Sequence, residues 1–559
     1  MRQNRRGPAI AVGDIDGDGR DDVFLGGTSQ TPARMLRQAT AGHLELAIAQ
    51  IPARGNALND GPALLLDVAG KGFCDLIVTS SGTSLPAGTS EYQPRLFFND
   101  GKGAFIPADA AALPPFPVSV GALAGADFDR SGRLGLFLGG RVVPGRYPES
   151  PQSALWVNRG GRFDDVTDQL APGLKSIGMV TSALWCDVDG DGWPDLLLTL
   201  EWGTVKYFHN NGGKGFEDWS DRAGFSAAGK GWWTSIAVAS YTREGRPNFV
   251  VGNAGLNTTY QASAKSPVVL LVGDFVGNGE SHLIECINEG GRLYPRRSRK
   301  ELGAAFPSLL RRFPRNDVYA RMTVDELFGP AKVAAAERYE ATEFQSGFFR
   351  CKEDGTYAFE PLPRIAQISP IQGLLATDLD GDGMPEICAV QNSFSPVPST
   401  GRFDGGLGQL IQVDENAALQ PVPALNSGLV VPGDAKALAT IELGGAHPAL
   451  LVSRNNNSTL AFDTRNLNGA RSLCVRLKGK PGNPSGIGAR ICGTRASGKV
   501  QWDEVRAGSG YFSQSSASVF LGHEKADPIK TVEVHWPNGA TSRHEIDEAS
   551  TTVTLASPE

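Results

Sequence analysis

Long apolar segments are missing from this sequence. No stretch of about 18 consecutive apolar residues occurs, so the sequence predicts no membrane span. Cysteine is scarce as well. The seven cysteines are odd in number and scattered, which is unlike the paired cysteines of a small disulfide-stabilised domain. Cys474 and Cys492 are placed to face each other on adjacent strands, and both the thiol form and the disulfide form stay open for them.

The common catalytic signatures are also missing. The sequence has no Gly-x-Ser-x-Gly and no His-Glu-x-x-His, and its histidines are dispersed. Segment 493–499 matches a phosphate-binding loop until Val500 stands where Ser or Thr is required. A net charge of −7 argues against a nucleic-acid partner. These absences favour a binding protein over the familiar enzyme classes.

Carboxylates are concentrated in a nine-residue, glycine-rich loop that occurs three times at nearly full strength. The copies begin at Asp14, Asp187 and Asp378 and place Asp at every second position. Like charges this close repel one another strongly unless a cation compensates them. Calcium, a hard cation with about six to eight oxygen ligands, fits such a loop better than magnesium. The sequence therefore predicts about three calcium sites.

The loops are predicted to join strands. An EF-hand requires Glu at its twelfth position, where these loops have Leu25, Leu198 and Ala389, and their flanks are short apolar runs typical of buried strands. The expected ligands are the first, third, fifth and ninth side chains with the seventh carbonyl oxygen. They are Asp14, Asp16, Asp18, Arg20 (carbonyl) and Asp22; Asp187, Asp189, Asp191, Trp193 (carbonyl) and Asp195; and Asp378, Asp380, Asp382, Met384 (carbonyl) and Glu386.

Weaker copies of the loop lie between the complete ones. Copies beginning at 14, 67, 127, 187, 240, 274, 378 and 441 have a dominant spacing near 60 residues. In the copy at 67, Lys71 could replace the ion by pairing with Asp67 and Asp75. A second turn follows most loops, as in Asn99-Asp100-Gly101, and indicates a second hairpin. Two hairpins make a four-stranded blade, the unit of a β-propeller.

These loops resemble FG-GAP/VCBS repeats, which occur in integrin-type propellers and in many secreted bacterial proteins. The resemblance covers about residues 8–465 and implies a propeller of seven or eight blades, and the length of the chain favours seven. A helical insertion at about 297–340, with capping boxes beginning at Ser298 and Thr323, interrupts the period. The predicted fold class is therefore all-β.

A different pattern begins near residue 466. The segments 485–490, 508–515 and 532–539, the last ending in Trp-Pro-Asn-Gly, resemble in order and spacing the ASPIC/UnbV domain, which often follows FG-GAP repeats. The segment 520–523 departs from the element expected there. The predicted domains are thus a propeller over 1–465 and a small β-sandwich over 466–559, which we interpret as an adhesion or interaction module.

Two functions fit these features. The first is a calcium-stabilised extracellular or periplasmic scaffold, expected to be a monomer, that recognises a protein or glycan ligand. Its first residues show no signal peptide, so we expect the N-terminus to be incomplete. The second is a lyase-type or dehydratase-type propeller enzyme acting on polysaccharide. The basic segment 292–321 with His282, Tyr294 and Tyr319 is its candidate site, although a solvated helix face is the favoured explanation of the basic residues.

Overall fold

A computed structural model describes residues 4, 6–47, 51, 58–241, 245–396, 400–414, 418–464 and 471–558. Most of this chain forms small antiparallel sheets joined by Gly-rich turns. The first two sheets are β1 (Ile10–Gly13), β2 (Asp22–Leu25), β3 (Arg34–Thr40) and β4 (His43–Leu46), and β5 (Asn59–Leu66), β6 (Asp75–Ser81), β7 (Arg95–Asn99) and β8 (Phe105–Pro107). The third is β9 (Ser119–Ala126), β10 (Gly135–Val142), β11 (Ala154–Asn158) and β12 (Phe163–Asp165).

The remaining propeller sheets follow the same order. After helix α1 (Thr167–Leu170), the fourth is β13 (Met179–Cys186), β14 (Asp195–Gly203), β15 (Lys206–Asn210) and β16 (Phe216–Asp218), with β17 (Gly231–Trp232) beside β14. The fifth begins with β18 (Ser235–Tyr241) and β19 (Pro247–Gly252). An insertion follows, with β20 (Val268–Gly273), β21 (His282–Glu289), β22 (Arg292–Pro295) and β23 (Glu337–Ala341). The fifth sheet then resumes with β24 (Gly347–Cys351) and β25 (Tyr357–Pro361).

The last two propeller sheets precede the C-terminal domain. The sixth is β26 (Ile371–Thr377), β27 (Glu386–Gln391), β28 (Gln409–Val413) and β29 (Leu419–Val422). The seventh follows helix α7 (Ala424–Ser427) and is β30 (Ala435–Glu442), β31 (Pro448–Arg454) and β32 (Leu460–Asp463).

The innermost strands of these seven sheets form a closed ring. Contacts run from β1 through β5, β9, β13, β18, β26 and β30 and return to β1. Bulky apolar side chains fill the space between adjacent sheets, as where Phe128 stacks on Trp185 with ring centroids 5.4 Å apart. Because neighbouring sheets cover both faces of the inner strands, these strands are buried along almost their whole length. The fold is a seven-bladed β-propeller.

The insertion lies inside the fifth blade, between β19 and β24, and includes more than helices. Its helices are α2 (Arg299–Ala305), α3 (Pro307–Arg312), α4 (Asn316–Tyr319), α5 (Val324–Phe328) and α6 (Pro330–Ala335). Both predicted capping boxes, at Ser298 and Thr323, are present. The helices pack on a sheet of order β22-β21-β20-β23. The loop copy that starts at Asp274 joins β20 to β21 and therefore belongs to the insertion.

The C-terminal domain is a sandwich of two sheets. Its strands are β33 (Arg471–Lys478), β34 (Arg490–Arg495), β35 (Val500–Glu504), β36 (Ser513–Gln514), β37 (Val519–His523), β38 (Ile529–His535), β39 (Thr541–Glu545) and β40 (Thr552–Ala556). One sheet has the order β37-β33-β40 and the other β35-β34-β38-β39. Cys474 and Cys492 lie in different sheets and are free thiols, so the disulfide alternative is wrong. The predicted boundary at 465–466 lies outside the described residues.

Residues 507–516 of the C-terminal domain, here called the axial loop, enter the centre of the propeller ring. The loop hydrogen-bonds to innermost strands of six blades, at Ile10, Leu65, Gly125, Ser182, Ile236 and Thr440. At the sixth blade, a methyl group built on Gly510 would lie 2.5 Å from the Leu374 carbonyl oxygen. The loop thus touches every blade and fills the ring from one side.

Candidate metal centres

Each acidic loop joins the first strand of its blade to the second and is closed by its own backbone. In the first loop, Gly17 and Gly19 donate their N–H groups to the two oxygens of Asp14 at 2.7 and 2.8 Å. These glycines have φ values of 75° and 80°, a conformation that costs glycine little. The ninth residue, Asp22, accepts the N–H of Ile15 at 3.0 Å. The two later loops repeat this pattern.

The third loop gathers three carboxylates at one point. Oxygen atoms of Asp378, Asp380 and Glu386 all lie within 4.8 Å of one another. Burial, reinforced by the neighbouring carboxylates, raises the pKa of Glu386 to about 9 and that of Asp378 to about 7. Gln412, a neutral side chain, donates to Asp380 at 2.8 Å. Buried carboxylates that repel one another are the donor set that a hard divalent cation would stabilise.

The second loop has a candidate ligand, His209, that the nine-residue motif does not contain. Asp187, Asp189 and Asp195 form one cluster, and Asp189 and Asp191 form a second with His209. His209 Nδ1 lies 3.2 Å from Asp189 and 3.4 Å from Asp195. The nearby carboxylate of Asp195 raises the pKa of His209. A protonated His209 can therefore compensate the loop when a cation does not.

The signal for His209 lies in the following hairpin. His209 precedes Asn210 at the end of β15, and its ring stacks on Trp219 with centroids 3.8 Å apart. That position faces the acidic loop of its own blade. The loop motif alone does not predict a role for His209, because His209 comes from a different part of the blade.

The first loop is partly compensated by arginine. Asp14, Asp16 and Asp18 form its cluster. Arg37 pairs with Asp16, and Arg20 pairs with Asp18. The predicted ninth-position ligand Asp22 lies outside this cluster, and its second oxygen accepts the N–H of Gln38. We therefore rank this loop below the third as a cation site. The carbonyl oxygens of Arg20, Trp193 and Met384 remain predicted ligands.

The weaker copies are held by hydrogen bonds. At the copy starting at 67, Asp67 accepts the N–H groups of Lys71, Gly72 and Gly482 at 2.9, 2.7 and 2.8 Å. Among the described residues no ion pair joins the Lys71 ammonium to Asp67 or Asp75, so the expected replacement of the ion by Lys71 is wrong. In the copy at 240, residues 242 and 244 lie outside the described part of the chain.

A repeated hydrogen bond ties the loop copies that begin at 14, 67 and 127 to the next blade. Asn99 at the end of β7 donates to the carbonyl oxygen of Ile15 in the first loop at 2.7 Å. The equivalent bonds are Asn158 to Val68 and Asn210 to Phe128, each 3.0 Å. The loops therefore contribute to the packing of neighbouring blades as well as to cation binding.

The C-terminal sandwich sits on the face of the propeller that carries the acidic loops. Arg490 Nη2 lies 3.3 Å from Asp187 Oδ2, and Arg495 donates to the Gly381 carbonyl oxygen at 3.3 Å. Gly522 packs against the third loop, since a methyl group built on it would lie 2.0 Å from Asp378 Oδ2. The second and third candidate centres thus lie at the contact between the two domains.

The residues of the enzyme alternative do not form one site. Tyr294 pairs with Ile287, five residues along β21 from His282, a separation of roughly 17 Å at the usual rise per residue. Tyr319 is buried and donates to the Arg297 carbonyl oxygen. Several residues of the basic segment have local partners, such as Glu285 for Arg297. The basic residues of segment 292–321 are therefore explained as the polar surface of the insertion.

Comparisons with known proteins identify two parts of the chain. A family model described as FG-GAP-like repeat matches residues 187–251, and one described as ASPIC and UnbV matches residues 479–559. No curated protein matches the chain. No helix in the described part of the chain is long and apolar enough to cross a membrane.

Several solved structures resemble the fold distantly. The biofilm matrix protein Bap1 of V. cholerae is 11% identical, with 83% of this chain and 88% of that chain covered and a TM-score of 0.32. YCF48 from Cyanidioschyzon merolae is 9% identical, with 83% and 99% covered and a TM-score of 0.37. The rhamnogalacturonan lyase PL11 of Bacillus licheniformis is 12% identical, with 83% and 74% covered and a TM-score of 0.33. Likenesses this distant assign no function.

Proposed function

We propose that this chain, an FG-GAP repeat protein that ends in an ASPIC/UnbV domain, is a calcium-stabilised extracytoplasmic scaffold that binds a protein or glycan ligand. The cluster of Asp378, Asp380 and Glu386 carries the proposal, because a cation would relieve the repulsion among three converging carboxylates. Calcium suits an all-oxygen donor set on a turn, and extracellular calcium modules bind with dissociation constants of about 0.1–1 mM. A compartment with that much free calcium keeps such loops occupied.

Calcium removal tests the metal half of this proposal. We expect EGTA to lower the melting temperature by several degrees, since a ligand that binds only the folded state stabilises it. Asp380→Ala should remove one equivalent of bound calcium, measured by elemental analysis after gel filtration. Asp404→Ala is the matched control, because Asp404 is exposed and lies outside the clusters. Unchanged stability in EGTA together with metal-free protein would overturn the proposal.

Ligand binding tests the other half. The full chain, immobilised in about 1 mM calcium, the upper end of the range for extracellular modules, is presented to a glycan array and to candidate extracellular proteins. Retention that is lost in EGTA supports the scaffold. Turnover of a polysaccharide, followed as new absorbance from unsaturated sugar products, would instead favour the enzyme.

A further inference from the structure

A cavity lies on the axis of the propeller, where strands from several blades meet the tip of the axial loop. Its lining includes Arg6 before β1, Arg141 on β10, Trp233 before β18, Lys436 on β30 and Tyr511 of the axial loop. The cavity offers about 80 Å³ to the centres of water molecules. At roughly 10–15 Å³ for each water, that space holds about six waters, or one ligand of monosaccharide size.

The cavity holds more positive than negative charge. Arg6, Arg141 and Lys436 supply three cations. Glu201 pairs with Arg141, and Asp434 pairs with Lys436 at 2.6 Å. One positive charge is left without a carboxylate among these groups. Burial lowers the pKa of Arg141, and the charge of Arg6 lowers it further, so an anion in addition to Glu201 would stabilise the charged form of Arg141.

The lining also presents donors without acceptors. Arg141 is 4% exposed, and its Nε and Nη1 have no hydrogen-bond partner among the described residues. The Nε of Arg6 and the indole nitrogens of Trp232 and Trp233 also lack partners within the described structure. A buried donor left unpaired costs about 1–3 kcal/mol. Several such donors around one cavity call for a ligand rich in acceptor oxygens.

The rest of the lining indicates what else the ligand carries. Hydroxyl and amide side chains of Thr181, Gln372, Ser393 and Ser395 line part of the wall. Indole, phenyl and phenol rings, from Trp232, Trp233, Phe403 and Tyr511, line other parts. Hydroxyl groups of a ligand pair with the first set, and the apolar face of a sugar ring packs on the second.

We propose that this axial cavity binds a sugar acid, a small polyol that carries a carboxylate, with Arg141 and Arg6 holding the carboxylate. The planar guanidinium group matches a carboxylate with two parallel hydrogen bonds. The inference rests on the proposed binding function and names its ligand class. Tyr511 gives the C-terminal domain a direct part in the site, because the axial loop carries it to the cavity from the opposite face.

The test compares two sugars that differ only in the carboxylate. Isothermal titration of the full chain with glucuronate, glucose and inorganic phosphate should show glucuronate binding at least tenfold more tightly than the other two. Arg141→Gln should weaken glucuronate binding at least tenfold. Arg146→Gln is the control, since Arg146 is exposed and pairs with Glu149. It should bind as the unmodified protein does.

Arg6→Gln is a second test in case Arg141→Gln does not fold. Arg6 precedes the first strand and lies outside the apolar clusters, so we expect this variant to keep the fold. It should also weaken glucuronate binding at least tenfold. Equal binding of glucose or phosphate, or glucuronate binding unaffected by both substitutions, would overturn the inference. Melting temperatures with and without calcium are measured on the same samples. A failure of the calcium proposal is therefore seen separately from a failure of the cavity.

Discussion

Gln38 Nε2 donates to the carbonyl oxygen of Glu442 at 2.9 Å and so joins the first blade to the seventh. The residues are 404 positions apart in the chain. The bond is the first-blade counterpart of those that Asn99, Asn158 and Asn210 make to the preceding blade. The ring is thus closed by the same type of side-chain amide to carbonyl hydrogen bond that joins consecutive blades, with glutamine in place of asparagine.

Gln38→Leu should lower the free energy of unfolding by about 1–3 kcal/mol, because it leaves the buried Glu442 carbonyl without a donor. The measurement is urea unfolding followed by tryptophan fluorescence. Gln30→Leu in the same blade is the control, because Gln30 is exposed. Equal effects of the two substitutions would show that the closing bond contributes nothing.

Arg490→Ala should loosen the C-terminal sandwich, and more so in EGTA than in calcium. Without a cation, Asp187 loses its partner in a partly buried ion pair, at a cost of about 1–3 kcal/mol in unfolding free energy. Bound calcium would supply the missing charge and reduce that cost. Arg543→Ala, on the exposed side of the same domain, should change little in either condition. A loss of stability that is the same with and without calcium would show that the contact of the sandwich with the propeller does not depend on the metal site.

Gly510→Ala should displace the axial loop. Gly510 has a φ of 61°, and the added methyl group would meet the Leu374 carbonyl oxygen at 2.5 Å. Gly539→Ala is matched for backbone strain, with a φ of 83°, yet its nearest neighbour is 4.0 Å away. We expect the first variant to melt several degrees lower than the second. Similar melting temperatures would mean that backbone conformation alone, and not the contact in the ring, sets the cost.

Calcium removal should raise hydrogen exchange in residues 507–516. The second and third loops contact the C-terminal sandwich through Arg490, Arg495 and Gly522. Without calcium, repulsion among the loop carboxylates should therefore weaken the contact between the sandwich and the propeller. Exchange measured by mass spectrometry with and without EGTA reports this. The strands β21 and β22 of the insertion, which are part of neither a complete loop nor the axial loop, serve as the internal reference. An axial loop equally protected in both conditions would contradict the coupling.

Local features of the sequence predicted the blades and the candidate metal centres, because both can be recognised from the spacing and the types of neighbouring residues. The starts of the loops, the alternation of Asp and Gly, and the capping residues Ser298 and Thr323 are all encoded within a few positions. His209 and the sheet of the insertion were missed because each depends on strand pairing. The strand that follows Asp274 reads like part of another blade until its partners are known.

The axial loop could not be predicted from its own residues. Its segment 508–515 reads as a motif of the C-terminal domain, and nothing in the sequence identifies Leu65 or Thr440 as partners. Those contacts span up to 449 positions and arise only once the ring exists. The cavity follows from the same assembly, since Arg6, Arg141 and Lys436 come from three different blades.

The position of the axial loop also bears on biosynthesis. Every blade leaves the ribosome before residues 507–516 do, so a nascent propeller has an open bore lined by unpaired backbone groups of Leu65 and Thr440. Water must occupy that bore until the last domain emerges and inserts its loop. A chain cut before residue 507 would keep the bore permanently. Completion of translation, rather than assembly of the blades, therefore sets the moment at which the axial loop fills the bore.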